Sequence, residues 1–217
     1  MWTVADAERM RDHWWWRPGH RTGRHYHACH FAMGRHRELA GLVRTYQKAL
    51  EPFTGLDLIP LPWLHLTMQP VGFLDEVGAE ELRRLWPVLG QELAAVPAPL
   101  VTLHRPVVRA EAIYLPAVPA EPILAVRLAV RKAIGEVLGP QRVPESADQV
   151  AGFRPHVSIA YANTGQDARP VAAALAAVVT EPVLITLDQV ELMRFHRDNR
   201  MYEWRSAEPL PIGAATG

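Results

Sequence analysis

The sequence is short of cysteine, lysine and net charge. Its single cysteine, Cys29, excludes an internal disulfide framework and, with no Cys pair, the zinc-ribbon and zinc-finger patterns. A reducing, cytoplasmic setting is expected. Only two lysines, Lys48 and Lys132, stand among the 23 basic residues, and 23 acidic residues cancel the total charge. The broad positive field with which a long-duplex binder attracts phosphate is therefore missing. No apolar run approaches the roughly 20 residues that span a bilayer, and the N-terminal stretch lacks the basic and apolar regions of a secretory signal. Neither a membrane nor a long duplex is expected as a partner.

What the chain does hold is apolar patterning. Its 217 residues are 49% hydrophobic and 21% charged, a balance that buries a core in one large domain or two small ones. Helical spacing predicts helices over Glu38–Leu50, Leu82–Val96, Glu121–Leu138 and Asp167–Val179. Pro87 and Gly90 predict a kink or break in the second, Gly139-Pro140 stops the third, and Pro170 suits the first turn of the fourth. Extended runs are read at His25–Met33, Leu56–Leu61, Trp63–Pro70, Leu100–Val108, Glu111–Leu115, Phe153–Ala162, Val183–Phe195 and Met201–Arg205. Arg197-Asp198-Asn199-Arg200 suits a hairpin turn between the last two. Residues 141–152 read as a loop and the last ten as a loose tail. The order β-α-β-β-α-β-β-α-β-α-β-β, with neighbouring strands close enough to pair antiparallel, is that of an α+β fold.

Two strands carry the residues best suited to chemistry. They are Leu64-His65-Leu66-Thr67-Met68-Gln69 and Pro155-His156-Val157-Ser158-Ile159-Ala160. Alternate strand residues share a face, so His65 and Thr67 point together to one side, as do His156 and Ser158, each backed by an apolar face. Ten histidines and thirteen serines or threonines in 217 residues predict 10 × 13/217, about 0.6, His-x-Ser/Thr tripeptides by chance. The chain holds three, and the third, His20-Arg21-Thr22, lies in a loop-like stretch between glycines. Strand context and the placing of one motif in each half distinguish the other two. The plainer alternative is a strand histidine capped by a neighbouring hydroxyl.

With these stretches, Leu64 to Gly72 and Pro155 to Ala160, and a C-terminal hairpin from Val190-Glu191-Leu192-Met193 through Tyr202 to Pro209-Leu210, the sequence resembles the 2H phosphoesterases. This is the group of 2'-5' RNA ligases and 2',3'-cyclic phosphodiesterases named for two His-x-Thr/Ser motifs. The similarity in element order covers roughly residues 25–212. It implies two lobes of antiparallel sheet with helices outside and one motif per lobe facing a central cleft. The organisation expected is an N-terminal arm (1–24), a single bilobal domain (25–212) and a tail (213–217). Where the family often carries a basic or aromatic residue five positions after the histidine, this chain has Pro70 and Tyr161.

The expected activity is metal-independent phosphodiester chemistry on a 2',3'-cyclic phosphate or 2'-5'-linked RNA or nucleotide, with no cofactor. His65 and His156 would serve as general acid and base, and Thr67 and Ser158 as phosphate donors. The substrate would be a small nucleotide or an RNA terminus. The alternative is a non-catalytic nucleotide or RNA-end binding protein using the same cleft. Candidate substrate contacts are Tyr161, which could stack on a base or simply pack, Gln69, which shares the parity of His65 and Thr67, and His30 and Arg154. His25, His27 and Cys29 share a strand face but span too far to bind one metal ion, so no metal site is expected. His104, His196, Arg197 and Arg200 read as surface strand and turn residues. The run Trp14-Trp15-Trp16 reads as packing on the body, with base stacking as its alternative.

Overall fold

Leu66 of strand β4 (His65–Phe73) and Val157 of strand β8 (His156–Ala162) are fully buried and stand opposite one another at the centre of the sheet. Their apolar side chains point into the core, which leaves the intervening motif residues on the other face. The computed structural model describes residues 5–145 and 152–213. Residues 1–4 of the arm, 146–151 of the expected loop and 214–217 of the tail lie outside the described residues.

Around this central pair the strands fall into two sets of four. On one side of β4 come β2 (Tyr26–Ala32), β11 (Gln189–His196) and β12 (Glu203–Pro211). On the far side of β8 come β7 (Ala112–Val118), β5 (Leu100–Leu103) and β10 (Val183–Thr186). Short strands β3 (Leu56–Leu58) and β6 (Val107–Val108) add to β8 and β7. All these pairings are antiparallel, and β1 (Arg9–Met10) joins β9 (Gln166–Asp167) in a separate two-stranded ribbon. The two lobes are thus halves of one curled sheet. Helices α2 (Ala79–Ala94) and α3 (Glu121–Leu138) cover the half that contains β4, and α1 (Arg37–Leu50) and α4 (Ala168–Ala176) lie against the half that contains β8. No helix among the described residues is long and apolar enough to cross a membrane.

The apolar stripes account for this packing. Leu39, Leu42, Val43, Tyr46 and Leu50 of α1 and Ile123, Val126, Val130 and Ile134 of α3 are buried, each set recurring at three- and four-residue spacing. Asp167 caps α4 by accepting from the Arg169 backbone N–H at 2.9 Å, with Pro170 in the first turn as expected.

Several expected boundaries differ from those observed. Helix α2 runs unbroken through Pro87, whose ring is exposed, so the Arg83 carbonyl left without its helical donor can turn to water. The expected strand over Val183–Phe195 is two strands, interrupted at Leu187 and Asp188. The last ten residues are not a loose tail as far as Pro211, because β12 pairs with β11 through Gln189 and Pro211.

The central register should be costly to loosen. Replacing Leu66 by Ala removes a buried side chain from the middle strand and should lower stability by about 3 kcal/mol. Urea unfolding would show this as a lower midpoint at unchanged slope.

Candidate active site

Continuing the Leu66–Val157 register by one residue each way places His65 opposite Ser158 and Thr67 opposite His156. Directly opposed strand residues have Cβ atoms about 5 Å apart, so the four side chains form one patch related by a local two-fold axis through the central pair. All four line a cleft of about 750 Å³.

Both imidazoles are held in the same way. His65 Nδ1–H donates to the Trp63 carbonyl at 3.0 Å, and His156 Nδ1–H donates to the Arg154 carbonyl at 2.8 Å, each two residues back along the chain. This fixes the ring and leaves Nε2 as the nitrogen free to exchange a proton with a ligand. Burial pushes the pKa of His65 down to about 4, with the charge of His156 adding to the effect. His156, packed on the ring of Tyr114 at 4.4 Å, is also lowered, first by burial and then by Arg109. Both rings are neutral at pH 7 in the unliganded protein.

A β-bulge follows each motif at the same place. Met68 is the extra residue of β4 against β2, and Ile159 is the extra residue of β8 against β7. Each bulge reverses the alternation, so the residue five positions after each histidine comes round to the cleft. Pro70 and Tyr161 both line it. The bulge carbonyls are pinned from behind: Arg127 Nε donates to the Met68 carbonyl at 2.7 Å, and Gln47 Nε2 donates to the Ile159 carbonyl at 2.9 Å.

The bulge at Met68 overturns the expectation for Gln69. Its side chain turns away from Thr67 and is buried, where Oε1 accepts from Arg127 at 3.3 Å and from Arg131 at 2.9 Å. It does not line the cleft. His30 does, with its ring stacked 5.4 Å from that of His65 and its Nδ1 accepting from the Met68 backbone N–H at 3.1 Å. Burial, followed by the neighbouring His65, holds the pKa of His30 well below the ordinary histidine value. Arg154 is exposed at the cleft wall, and Tyr161 is buried in it, its ring face stacked 4.1 Å from that of His13.

Part of the cleft comes from residues that the sequence pattern does not single out. The arm brings His13, Arg17, Pro18 and His20 into the lining. Glu111, from the turn before β7, binds Arg11 Nε at 2.9 Å, Trp15 Nε1 at 3.2 Å and Arg17 Nη2 at 3.1 Å. Arg197, expected at a surface turn, is buried instead and donates through Nη2 to the His13 carbonyl at 3.1 Å. Trp14 packs on the body and bonds Asp57 at 2.7 Å, whereas Trp15 and Trp16 remain about half exposed.

His25, just before β2, and His27 and Cys29 within it do not come together as ligands. The Cys29 thiol is fully buried, which pushes its pKa up to about 12. His25 instead stacks on His196 at 4.9 Å beside Asp198, the single group of three potential metal ligands among the described residues. There Arg194 Nε donates to His25 Nδ1 at 3.1 Å, and His25 Nε2 faces Asp198 at 3.6 Å.

The sequence model of the 2'-5' RNA ligase superfamily matches residues 36–199 of this chain. No curated protein matches the sequence. Among solved structures, TT0787 of Thermus thermophilus is similar with a TM-score of 0.62 and 22% identity, over 88% of this chain and 99% of that one. LigT of E. coli complexed with 3'-AMP is similar with a TM-score of 0.56 and 14% identity, over 87% and 98%. LigT complexed with NADP+ gives 0.58 and 13%, again over 87% and 98%. These likenesses share the fold.

The buried neutral His65 makes stability depend on pH. Its folded pKa of about 4 lies below the unfolded value, so below pH 6.5 the unfolded chain binds a proton that the folded chain refuses. This contribution is fully present above about pH 6.5 and is lost as pH falls to about 4, roughly 3 kcal/mol in all. Urea titrations of His65→Asn should show a correspondingly smaller loss over that window than the unsubstituted protein. An equal loss would show that His65 does not carry it.

Proposed function

This chain belongs to the 2'-5' RNA ligase superfamily, and on that premise we propose that it is a metal-independent phosphodiesterase acting on 2',3'-cyclic phosphate or 2'-5'-linked RNA or nucleotide substrates. The observation that carries this reading is the pair of imidazoles in one cleft, each with Nδ1 tied to the backbone and Nε2 free, flanked by Thr67 and Ser158. Two such groups supply both halves of a phosphoryl transfer. As a water oxygen bonds to phosphorus, one imidazole takes its proton. As the bond from phosphorus to the 2'- or 3'-oxygen breaks, the other imidazole protonates that oxygen, and a phosphomonoester remains. Each proton transfer contributes roughly 10²–10⁴-fold. The hydroxyls of Thr67 and Ser158 donate to the non-bridging oxygens and hold phosphorus between the rings. Ligation uses the same two proton transfers with a 5'-hydroxyl in place of water: its oxygen bonds to the cyclic phosphorus and gives its proton to one imidazole, the bond to the 3'-oxygen breaks and takes a proton from the other, and a 2'-5' diester remains.

The lowered pKa values fit this scheme. A neutral imidazole is a ready base, and the bound phosphate anion stabilises the protonated form of the other ring. Among the described residues that line the cleft the one carboxylate, Glu111, is taken up by donors of the arm, and the His25, His196 and Asp198 group includes neither motif histidine. Both facts support chemistry without a metal. A cleft of about 750 Å³ in a chain without net charge suits a small nucleotide or an RNA end, and LigT, similar in fold, has been crystallised with 3'-AMP and with NADP+.

The test is a panel of 2',3'-cyclic nucleotides and 2'-5' dinucleotides in excess EDTA. Turnover is expected, with His65→Ala and His156→Ala each at least about 100-fold slower. Full activity in either variant overturns the assignment, and tight binding without turnover across the panel would make the protein a nucleotide- or RNA-end-binding module. Because both imidazoles titrate below 6.5 and a phosphodiester stays a monoanion, kcat/KM should follow a bell whose maximum lies below pH 6.5. A maximum above pH 7 would contradict this protonation scheme.

A further inference from the structure

Arg17 stands apart from the reacting groups in both origin and charge. It is carried by the arm, which precedes the residues matched by the superfamily model, and the body fixes its course at several points. Arg11 N–H and His13 N–H donate to the carbonyls of Ala110 and Ala162 at 2.6 and 2.8 Å. Trp14 bonds Asp57, the buried Arg197 grips the His13 carbonyl, and the His13 ring lies flat on Tyr161. Arg17, the next cleft residue after His13, is therefore held in place, with 35% of its side chain open.

Its charge is only partly compensated. Two guanidinium groups, those of Arg11 and Arg17, converge on the single carboxylate of Glu111. Arg17 reaches it through Nη2, and a guanidinium has five N–H donors in a planar fork that suits a phosphate. The pKa of His13 is held down by burial and then by Arg17, and that of His20 by burial, then Arg197, then Arg17. The positive charge that bears on His156 is that of Arg109. The reacting patch is thus built of neutral rings and hydroxyls, and Arg17 lies at the arm's part of the cleft.

We infer that Arg17 binds a second phosphate of the substrate, one that is not cleaved, so that the preferred ligand is a nucleotide with an additional phosphate on its 5' side. This rests on the reading of the cleft as a nucleotide site. A charge-assisted fork to phosphate is worth about 10- to 100-fold in affinity.

Calorimetry with nucleoside 2',5'-bisphosphate and the matching 2'-monophosphate tests the inference without turnover. The unsubstituted protein should bind the bisphosphate at least about 10-fold more tightly. Arg17→Ala should abolish that preference and leave monophosphate affinity within about two-fold, while Arg17→Lys should keep part of it. Equal affinities in the unsubstituted protein, or a preference that survives Arg17→Ala, would overturn the inference. So would an equal loss for both ligands with an unchanged melting temperature. In parallel turnover assays on 2',3'-cyclic nucleotides with and without a 5'-phosphate, Arg17→Ala should raise KM for the 5'-phosphorylated one alone. If the bisphosphate preference is found and neither cyclic nucleotide is opened, the proposed activity fails and this inference stands.

Discussion

The antiparallel contact of Leu66 with Val157 is the constraint from which the site follows. It sets the register of the two middle strands, and a slip of one residue would turn both motifs into the core. Because two full halves of the sheet, with their helices, are built outward from this pair, the register is secured by far more apolar burial than the two residues provide. The site is held by its position in the middle of the sheet, on the face opposite the core.

Burial then sets the chemistry. Packing His65 among Phe195, Tyr202 and His30, and His156 against Tyr114, removes water and favours the neutral rings. Charging such a ring is costly unless an anion lies beside it. The tie from Nδ1 to the chain two residues back serves each ring in either protonation state, since that nitrogen is a donor in both.

Much of this was legible in the sequence. The limits of α1 and α3 followed from apolar spacing and stop signals, those of α2 and α4 only roughly, and the motif strands from parity and apolar backing. The bulges were not legible, since nothing in Met68 or Ile159 as residue types announces an extra residue. They are fixed by Arg127 and Gln47, far away in sequence. Strict alternation therefore assigned Gln69 to the wrong side and gave no reason for Tyr161 to reach the cleft. The arm's share of the cleft escaped for a related cause. It has no period, and the partners that order it, Glu111 and Arg197, read locally as an acidic residue before a strand and a turn cation.

The local two-fold relation between the motifs has a further consequence. A pair of imidazoles with matching ties, matching hydroxyls and matching bulges is indifferent to the direction in which a phosphodiester lies between them. Exchanging the leaving and attacking oxygens would simply exchange the duties of the two rings. Polarity has to be imposed by something that is not duplicated. Pro70 and Tyr161 differ at equivalent places, and the arm lays different rings on the two halves, His13 flat on Tyr161 and His20 edge-on against Tyr26 and Phe73. For the phosphodiester chemistry proposed above, direction would come from these asymmetric surroundings, while the motifs themselves are symmetric.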